Sequence, residues 1–269
     1  MTALRGLVLY ALACAGTGLM VKDDIIPVYN LTFCNAYADS TPLNVYTLRR
    51  MARVTEEPLK YKECRLIPMQ LVEGELIEFK LGGISVGTFR ASGLPRTTAS
   101  LVLVPYHRTK GSLAAAFASH SFGTQAGQQA QMVVIDAYAG TLNGTMKIET
   151  YGEKRRRIME MKSGSQVRLS SGSYQIDLND ASGKRIQAAA LKAAADARYV
   201  VLRVGSEADH FTQELVVSSV EGNAGVQSTR RSRGTRASRA PAAALSGPAS
   251  VPLPPQPRRP LLQRPRHKF

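Results

Sequence analysis

The sequence predicts an all-β protein with two tandem, small antiparallel β-sandwich domains and a disordered basic tail. Three observations support this fold class. Short strand patterns alternate with clusters of Gly, Ser, Asn and Asp, as in sandwiches. A strand-and-turn motif recurs 101 residues later, which is a spacing typical of tandem domains. The composition also changes sharply after Glu221, where acidic residues cease.

The first fifteen residues have the features of a secretory signal peptide. Arg5 supplies a positive charge, an apolar run of about ten residues follows, and Ala13-Cys14-Ala15 forms a small-x-small cleavage site. The run is shorter than the ~20 residues needed to span a bilayer. A short buried helix, a membrane anchor and a bacterial lipoprotein site are weaker alternatives. We therefore predict a signal peptide over residues 1–15 and a secreted or periplasmic protein.

Two cysteines remain after the signal peptide, Cys34 and Cys64. An even number in an exported chain predicts a disulfide. The bridge would close a loop of about thirty residues and contribute ~3 kcal/mol by restricting the unfolded chain. Two unpaired buried thiols are the alternative.

The chain also contains two N-glycosylation sequons. They begin at Asn30 and at Asn143. Such triplets are common by chance, so they have a role only in a eukaryotic host.

The repeat defines the two domains. Cys34–Ala38 recurs as Ile135–Ala139, and each copy follows an apolar strand and precedes an alternating one. Three further pairs of segments occur in the same order: Leu43–Thr47 with Met146–Thr150, Phe79–Gly83 with Val167–Gly172, and Leu101–Val104 with Val200–Val204. We predict domains at 25–122 and 130–221, separated by the Gly- and Gln-rich segment 123–129.

Two alanine-rich segments are candidates for helix. Ser112–Ala118 predicts a helical turn or a linker. Ile186–Ala197 predicts a short helix, because Ala has the highest helix propensity, with an extended edge segment as the alternative.

The basic residues are concentrated in the tail. Residues 223–269 contain ten basic residues and no acidic one, whereas the rest of the chain is nearly neutral. This distribution argues against a basic nucleic-acid-binding domain. Rich in Pro, Ala, Ser and Arg, residues 222–269 are predicted to be disordered. Four arginines there could bind an acidic polysaccharide or an anionic membrane surface, although tails of this composition are often not functional in themselves: Arg230, Arg231, Arg233 and Arg236.

A second basic run lies between two predicted strands of the second domain. It consists of Lys154, Arg155, Arg156 and Arg157 and predicts a hairpin tip. The run is a candidate site for a carboxylated or sulfated glycan, or for an acidic partner. The favoured interpretation is a solvated loop, because charge runs usually face water.

No catalytic residue, metal site or cofactor is predicted. The chain has no phosphate-binding Gly loop, no Cys-x-x-Cys and no His-Glu-x-x-His, and its four histidines are scattered. Gly83–Gly87 matches the Gly-x-Ser-x-Gly nucleophile elbow, which leaves a serine hydrolase using Ser85 as a remote alternative. Both flanks have strand patterns, however, so a hairpin turn at Gly82-Gly83 is favoured.

The opening of the first domain resembles a known family. Leu31–Tyr46 is similar to the start of an exported bacterial β-sandwich domain of unknown function, in which a strand precedes an H-A-S-P-D-A-P turn and then V-D-V-Y. Ala36, Asp39, Val45 and Tyr46 fit that pattern. The overall plan also resembles the AlgF family of alginate O-acetylation accessory proteins, although the cysteine pair and the basic tail depart from it.

The resemblance implies a function without a catalytic centre. AlgF-type proteins have a signal peptide and two tandem β-sandwiches. The chain is therefore expected to be an exported accessory protein in polysaccharide O-acetylation or glycan binding, with an acidic polysaccharide or a polysaccharide-modifying membrane complex as partner. An extracellular adhesion or structural module is the alternative.

Overall fold

A computed structural model describes residues 26–123, 128–151 and 157–220, together with the backbone of 226–227. The strands of the first half are β1 Val28–Cys34, β2 Leu43–Thr47, β3 Ala52–Arg53, β4 Cys64–Gln70, β5 Leu76–Leu81, β6 Ile84–Arg90, β7 Ser100–His107 and β8 Ala115–Phe122. Those of the second half are β9 Ala130–Asp136, β10 Gly144–Thr150, β11 Ile158–Met161, β12 Gln166–Leu169, β13 Gly172–Asp180, β14 Arg185–Ala193, β15 Arg198–Ser206, β16 Phe211–Ser219 and β17 Val226–Gln227.

The strands form two β-sandwiches with the same strand order. In the first domain the sheets are β4-β1-β7-β8 and β3-β2-β5-β6. In the second they are β12-β9-β15-β16 and β11-β10-β13-β14, the latter extended by β17. All pairs are antiparallel except β1 with β7 and β9 with β15. The predicted all-β fold class is confirmed, and among the described residues there is no helix long and apolar enough to cross a membrane.

Each sandwich encloses its own core, and a third cluster joins the domains. Phe33, Phe79 and their neighbours fill the first core, whereas Met132, Ile176 and theirs fill the second. The third cluster combines residues of both domains: Cys34, Ala36, Val102, Val104, Phe122, Val133, Ile135, Ala137, Val200, Leu202, Val204 and Val220. The central strands are therefore buried on both faces, which explains their continuous apolar sequences.

The helix prediction for Ile186–Ala197 is wrong. Most of this segment is strand β14, and a turn follows it. Along the strand, Ala189, Leu191 and Ala193 are buried, whereas Ala190 and Lys192 are exposed. This alternation places one set of small side chains in the core, and tertiary burial outweighs the helix propensity of alanine.

The other alanine-rich segment, Ser112–Ala118, is also not helical. It is the end of a turn followed by β8, which pairs with β7 along its whole length. The proposed echo of Phe79–Gly83 by Val167–Gly172 is wrong as well. Val167 lies in β12, the counterpart of β4 in the strand order, whereas Phe79 lies in β5.

The predicted signal peptide at 1–15 and most of the basic tail lie outside the described residues. The predicted disulfide is confirmed, because Cys34 in β1 and Cys64 in β4 face each other in register and are bonded. Structural disulfides are typical of oxidising compartments, which is consistent with an extracellular or periplasmic protein.

Candidate binding groove

The repeated motif forms the same turn at one end of each sandwich. In the first domain the side-chain oxygen of Asn35 accepts a hydrogen bond from the backbone N–H of Tyr37, at 2.9 Å. In the second, Asp136 accepts one from Tyr138, at 3.1 Å. These Asx turns direct the chain out of the central strand. They place a tyrosine at the corresponding end of each domain.

The end of the first domain is filled by side chains. Tyr37 is fully buried and stacks on His107, with ring centroids 3.8 Å apart. Its hydroxyl donates to the Leu113 carbonyl oxygen at 2.7 Å. Burial, reinforced by the Asp39 and Asp209 carboxylates, raises the pKa of Tyr37 to about 12. The tyrosine of the first domain is therefore a neutral core residue.

The end of the second domain is organised around Arg203, which is buried within β15. Its guanidinium pairs with Asp136 at 2.8 Å and with the Gln213 side-chain oxygen at 2.9 Å. The guanidinium also lies over the Tyr138 ring, 4.4 Å from the ring centroid. A Cβ on Gly144 would lie 2.8 Å from the Arg203 Nε atom, so only glycine lets the loop pass this close.

Glu207 holds the loop that follows Tyr138. Its carboxylate accepts hydrogen bonds from the backbone N–H groups of Thr141 and Leu142, at 2.8 and 3.1 Å. It also accepts one from the Tyr138 hydroxyl at 3.2 Å and pairs with Lys110 of the first domain at 2.9 Å. The Lys110 ammonium and then the Thr141 N–H lower the pKa of Glu207 to about 2. The loop is thus fixed before any ligand arrives.

These contacts form one side of an open groove of about 810 Å³. Its walls are the loop after β9, the β13–β14 turn and the β15–β16 hairpin. Lining residues come from all three: Tyr138, Leu142 and Asn143; Asp180, Ala181, Ser182 and Ile186; and Ser206, Glu207, His210, Phe211, Thr212 and Gln213. Loops at the end of a sandwich commonly carry binding sites.

The β13–β14 wall is held by Asp180. Its Oδ1 atom accepts hydrogen bonds from the Ser182 hydroxyl at 2.6 Å and from the Ser182 and Lys184 N–H groups, both at 2.9 Å. These bonds, chiefly the one from the hydroxyl, lower the pKa of Asp180. The groove therefore contains two ionised carboxylates at neutral pH, and the lining residues in the part of the chain that the structure describes include no Lys or Arg.

Few of the predicted site residues belong to this groove. Of the sequon asparagines, Asn143 lines it and Asn30 lies within β1. Arg157 is exposed just before β11, with its N–H bonded to the Thr150 hydroxyl. The remaining basic candidates lie outside the described residues: Lys154, Arg155, Arg156, Arg230, Arg231, Arg233 and Arg236. One residue that organises the groove, Arg203, is recognisable in the sequence, because it is an arginine inside the apolar run Val200–Val204.

The Gly-x-Ser-x-Gly match lies in a β-hairpin. Gly82 has a positive φ of 58° and forms the turn with Gly83, and strands β5 and β6 pair on either side. This confirms the hairpin interpretation of the glycines. Ser85 lies within strand β6. The strand–turn–helix context of a nucleophile elbow is not found here.

Comparisons with known proteins complete the description. No protein-family model matches the chain, and no curated protein matches it in sequence. A solved structure that matches is described as a "putative cell adhesion protein from Bacteroides ovatus ATCC 8483". It is 7% identical and covers 75% of this chain and 96% of that chain, with a TM-score of 0.24. At that TM-score the likeness carries no argument about function, and the AlgF resemblance stays a prediction.

Proposed function

We propose that the protein is an exported, non-enzymatic carbohydrate-binding protein and that the groove of the second domain is its glycan site. The observation that carries the proposal is the preorganised groove. The buried Arg203 side chain bonds to Asp136 at the end of β9. Glu207 accepts hydrogen bonds from two backbone N–H groups of the loop after β9. A site built in this way loses little conformational entropy when a ligand binds.

The lining chemistry suits a sugar. The Asn143 amide and the Thr212 hydroxyl can donate to and accept from sugar hydroxyls. The Gln213 side-chain oxygen accepts from Arg203, so its amide N–H groups can donate to a sugar. The apolar side chains of Leu142 and Ile186 are 54% and 40% exposed and can pack on the C–H face of a pyranose ring. A volume of about 810 Å³ is in the range of small-ligand sites and can accommodate a short oligosaccharide segment.

The charges favour an uncharged glycan over an acidic one. Asp180 and Glu207 stay ionised, because hydrogen bonds lower the pKa of both carboxyls. An acidic sugar would face these carboxylates, whereas the lysines beside them, Lys110 and Lys184, are not among the described lining residues. Any acidic polysaccharide, as the sequence predicts for the basic run at 154–157 and the tail, would therefore bind elsewhere on the chain.

The second part of the proposal concerns the biological process in which the protein would bind a glycan. A role in polysaccharide O-acetylation rests on the resemblance to AlgF-type proteins alone. An adhesion role would use the same groove to hold a surface glycan. Loss of glycan acetylation in a deletion strain would favour the first setting, and loss of attachment with unchanged acetylation would favour the second.

Glycan-array binding by the exported full chain tests the site. We expect binding to uncharged oligosaccharides, and about tenfold weaker binding by Leu142→Ser/Ile186→Ser, equivalent to ~1.4 kcal/mol. The matched control is Ile84→Ser/Leu113→Ser, which removes two similarly exposed side chains, at 66% and 67%, outside the groove. Equal affinities of the two variants, or no uncharged glycan bound by the wild type, would reject the proposal.

A further inference from the structure

We propose that Phe211 is the platform on which a sugar ring stacks in the groove, and that Tyr61 of the first domain is its positioning residue. As a sugar platform this pair rests on the function proposed above, whereas as a contact between the domains it stands independently. Part of the site then belongs to the domain that does not contain the groove.

Phe211 is the lining ring best suited to contact a sugar. Three of the described lining residues carry an aromatic ring: Tyr138, His210 and Phe211. The Tyr138 ring is already covered by the Arg203 guanidinium, and its hydroxyl bonds to Glu207. The Phe211 ring is partly exposed at the start of β16 and has no polar atom. Such a ring packs well on the C–H groups of a pyranose, because both surfaces are apolar.

The backbone of the β15–β16 hairpin determines where Phe211 lies. Phe211 pairs with Ser206 across the hairpin, next to an irregularity in the register of the two strands. Gly205 has a φ of 135°, and a Cβ there would lie 2.6 Å from the Thr212 carbonyl oxygen. The Ser206 hydroxyl donates to the Asp209 carboxylate at 2.5 Å within the turn. These contacts place Phe211 at the groove in a defined backbone geometry.

The Phe211 side chain is held from the first domain by Tyr61. The two ring centroids are 5.0 Å apart and the ring planes are inclined by 70°, which is an edge-to-face arrangement. Tyr61 also packs against the apolar cluster that joins the two domains. The next residue, Lys62, pairs with Glu214 of β16 at 2.7 Å. One turn of the first domain therefore contacts both the start and the middle of β16.

The turn that carries Tyr61 is anchored on the repeated motif of the first domain. The backbone N–H of Lys62 donates to the Asn35 carbonyl oxygen at 2.8 Å, and the Asn35 N–H donates to that of Glu63 at 2.9 Å. The disulfide bonds the residue before Asn35 to the residue after Glu63. Tyr61 is therefore held in place by covalent and hydrogen-bonded links to the end of β1.

The Tyr61 ring, and not its hydroxyl, makes the contact with Phe211. The hydroxyl oxygen is buried and has no hydrogen-bond partner among the described residues. Because burial of an unbonded hydroxyl costs free energy, Tyr61→Phe should keep the ring contact without lowering stability. Tyr61→Ala removes the ring that packs on Phe211. Comparison of the two variants therefore isolates the effect of the ring contact.

Titration of the full chain with uncharged oligosaccharides of glucose, mannose, galactose and xylose tests the platform. For the sugar that the wild type binds most tightly, Phe211→Ala and Tyr61→Ala should each weaken binding about fivefold, whereas Tyr61→Phe should bind like the wild type. The matched control is Phe89→Ala, which removes one ring of an edge-to-face pair with Phe117, at 5.9 Å in the first domain, and should keep wild-type affinity. Wild-type affinity in Tyr61→Ala, or an equal loss in Tyr61→Ala and Phe89→Ala, would overturn the proposal.

Hydrogen exchange of the same variants without a sugar tests the positioning role separately. Tyr61→Ala should reduce the protection of the amides of 206–214, whereas Tyr61→Phe and Phe89→Ala should not. Tyr61→Leu, which keeps an apolar side chain without the ring, gives the same comparison if Tyr61→Ala does not fold. Unchanged protection would overturn the positioning role. A wild type that binds no uncharged sugar rejects the proposed function and the platform together, whereas sugar binding that Tyr61→Ala leaves unchanged rejects this inference alone.

Discussion

The corresponding ends of the two domains share a framework and differ in what fills them. Ala36 donates to the Pro105 carbonyl, and Ala137 donates to that of Arg203, so Pro105 and Arg203 occupy equivalent positions. In the first domain His107, two residues further on, packs against a buried tyrosine. In the second domain that position is Gly205, and the tyrosine packs under Arg203 instead.

The difference shows that two sandwiches with the same strand order can have one end filled by side chains and the other open. The Asx turns and strand order keep the loops in the same place in both copies. Where the first domain has Pro105, the second has Arg203, whose guanidinium bonds to Asp136 and lies over the Tyr138 ring. The end of the second domain is open as a groove. In the first domain the same end is closed by the stacked side chains of Tyr37 and His107.

The largest expected effect is loss of the disulfide, which only the first domain has. The strand order gives Ile135 and Gly164 as the counterparts of the bonded cysteines, so the second domain relies on packing there. Cys34→Ser/Cys64→Ser should lower the free energy of unfolding by ~2–5 kcal/mol, because the unfolded chain is no longer restricted. Denaturant titration measures this, and two alkylatable thiols in the untreated protein would contradict the assumed bond.

The second prediction concerns Arg203, which organises the groove of the second domain. Arg203→Ala removes charge-assisted hydrogen bonds from Asp136 and Gln213, and should cost roughly 1.5–3 kcal/mol. The matched control is Arg53→Ala, which breaks an exposed hydrogen bond to the Asn44 side chain and should change the free energy of unfolding by no more than about 0.5 kcal/mol. Equal unfolding free energies for the two variants would mean that the groove does not depend on the buried guanidinium.

The sequence predicted the framework because strands and turns have local signals. Alternating burial in β2 and the positive φ of Gly82 both correspond to patterns visible in the residues. The helix prediction for Ile186–Ala197 is wrong because the helix propensity of alanine contributes less free energy than burial of the segment in a sandwich core. No local signal distinguishes a β14 alanine that faces the core from a helical one.

The candidate site could not be predicted in the same way. Groove residues come from three loops separated by up to about seventy residues, and only folding brings them together. Glu207 has no motif, because its partners are backbone N–H groups and a lysine of the other domain. The sequence shows Arg203 as a charged residue within an apolar strand. Its role can be inferred only from the pairing of β15 with β9, which places it opposite Asp136.

The third prediction uses the pH dependence of the loop after β9. Because the pKa of Glu207 is lowered to about 2, its contribution is present at neutral pH and is lost as the pH falls from about 4.5 towards 2. Hydrogen exchange of the Thr141 and Leu142 amides, corrected for intrinsic rates, should show a loss of protection over that range. Glu207→Gln should show fast exchange already at neutral pH. A Gln variant with wild-type protection would mean that the loop is held by its other contacts.

The smallest expected effect on stability comes from the sequons, which occur once in each domain. Asn30 lies in β1 between two neighbouring strands, and Thr32 of its triplet is buried with its hydroxyl bonded to the Val220 carbonyl. Asn143 is exposed in the loop before β10. Expressed in a eukaryotic secretory host, the folded protein should carry a glycan at Asn143 and none at Asn30.

A glycosidase mobility shift and intact mass measure this directly. Asn143→Gln should abolish the shift and leave the free energy of unfolding within about 0.5 kcal/mol, as for most surface substitutions. Because Asn143 lines the groove, its attached glycan would also occupy the proposed site and block array binding, which enzymatic removal should restore. A shift that persists in Asn143→Gln and disappears in Asn30→Gln would show that β1 is accessible before it pairs. Array binding unaffected by the glycan would place the carbohydrate site away from the groove.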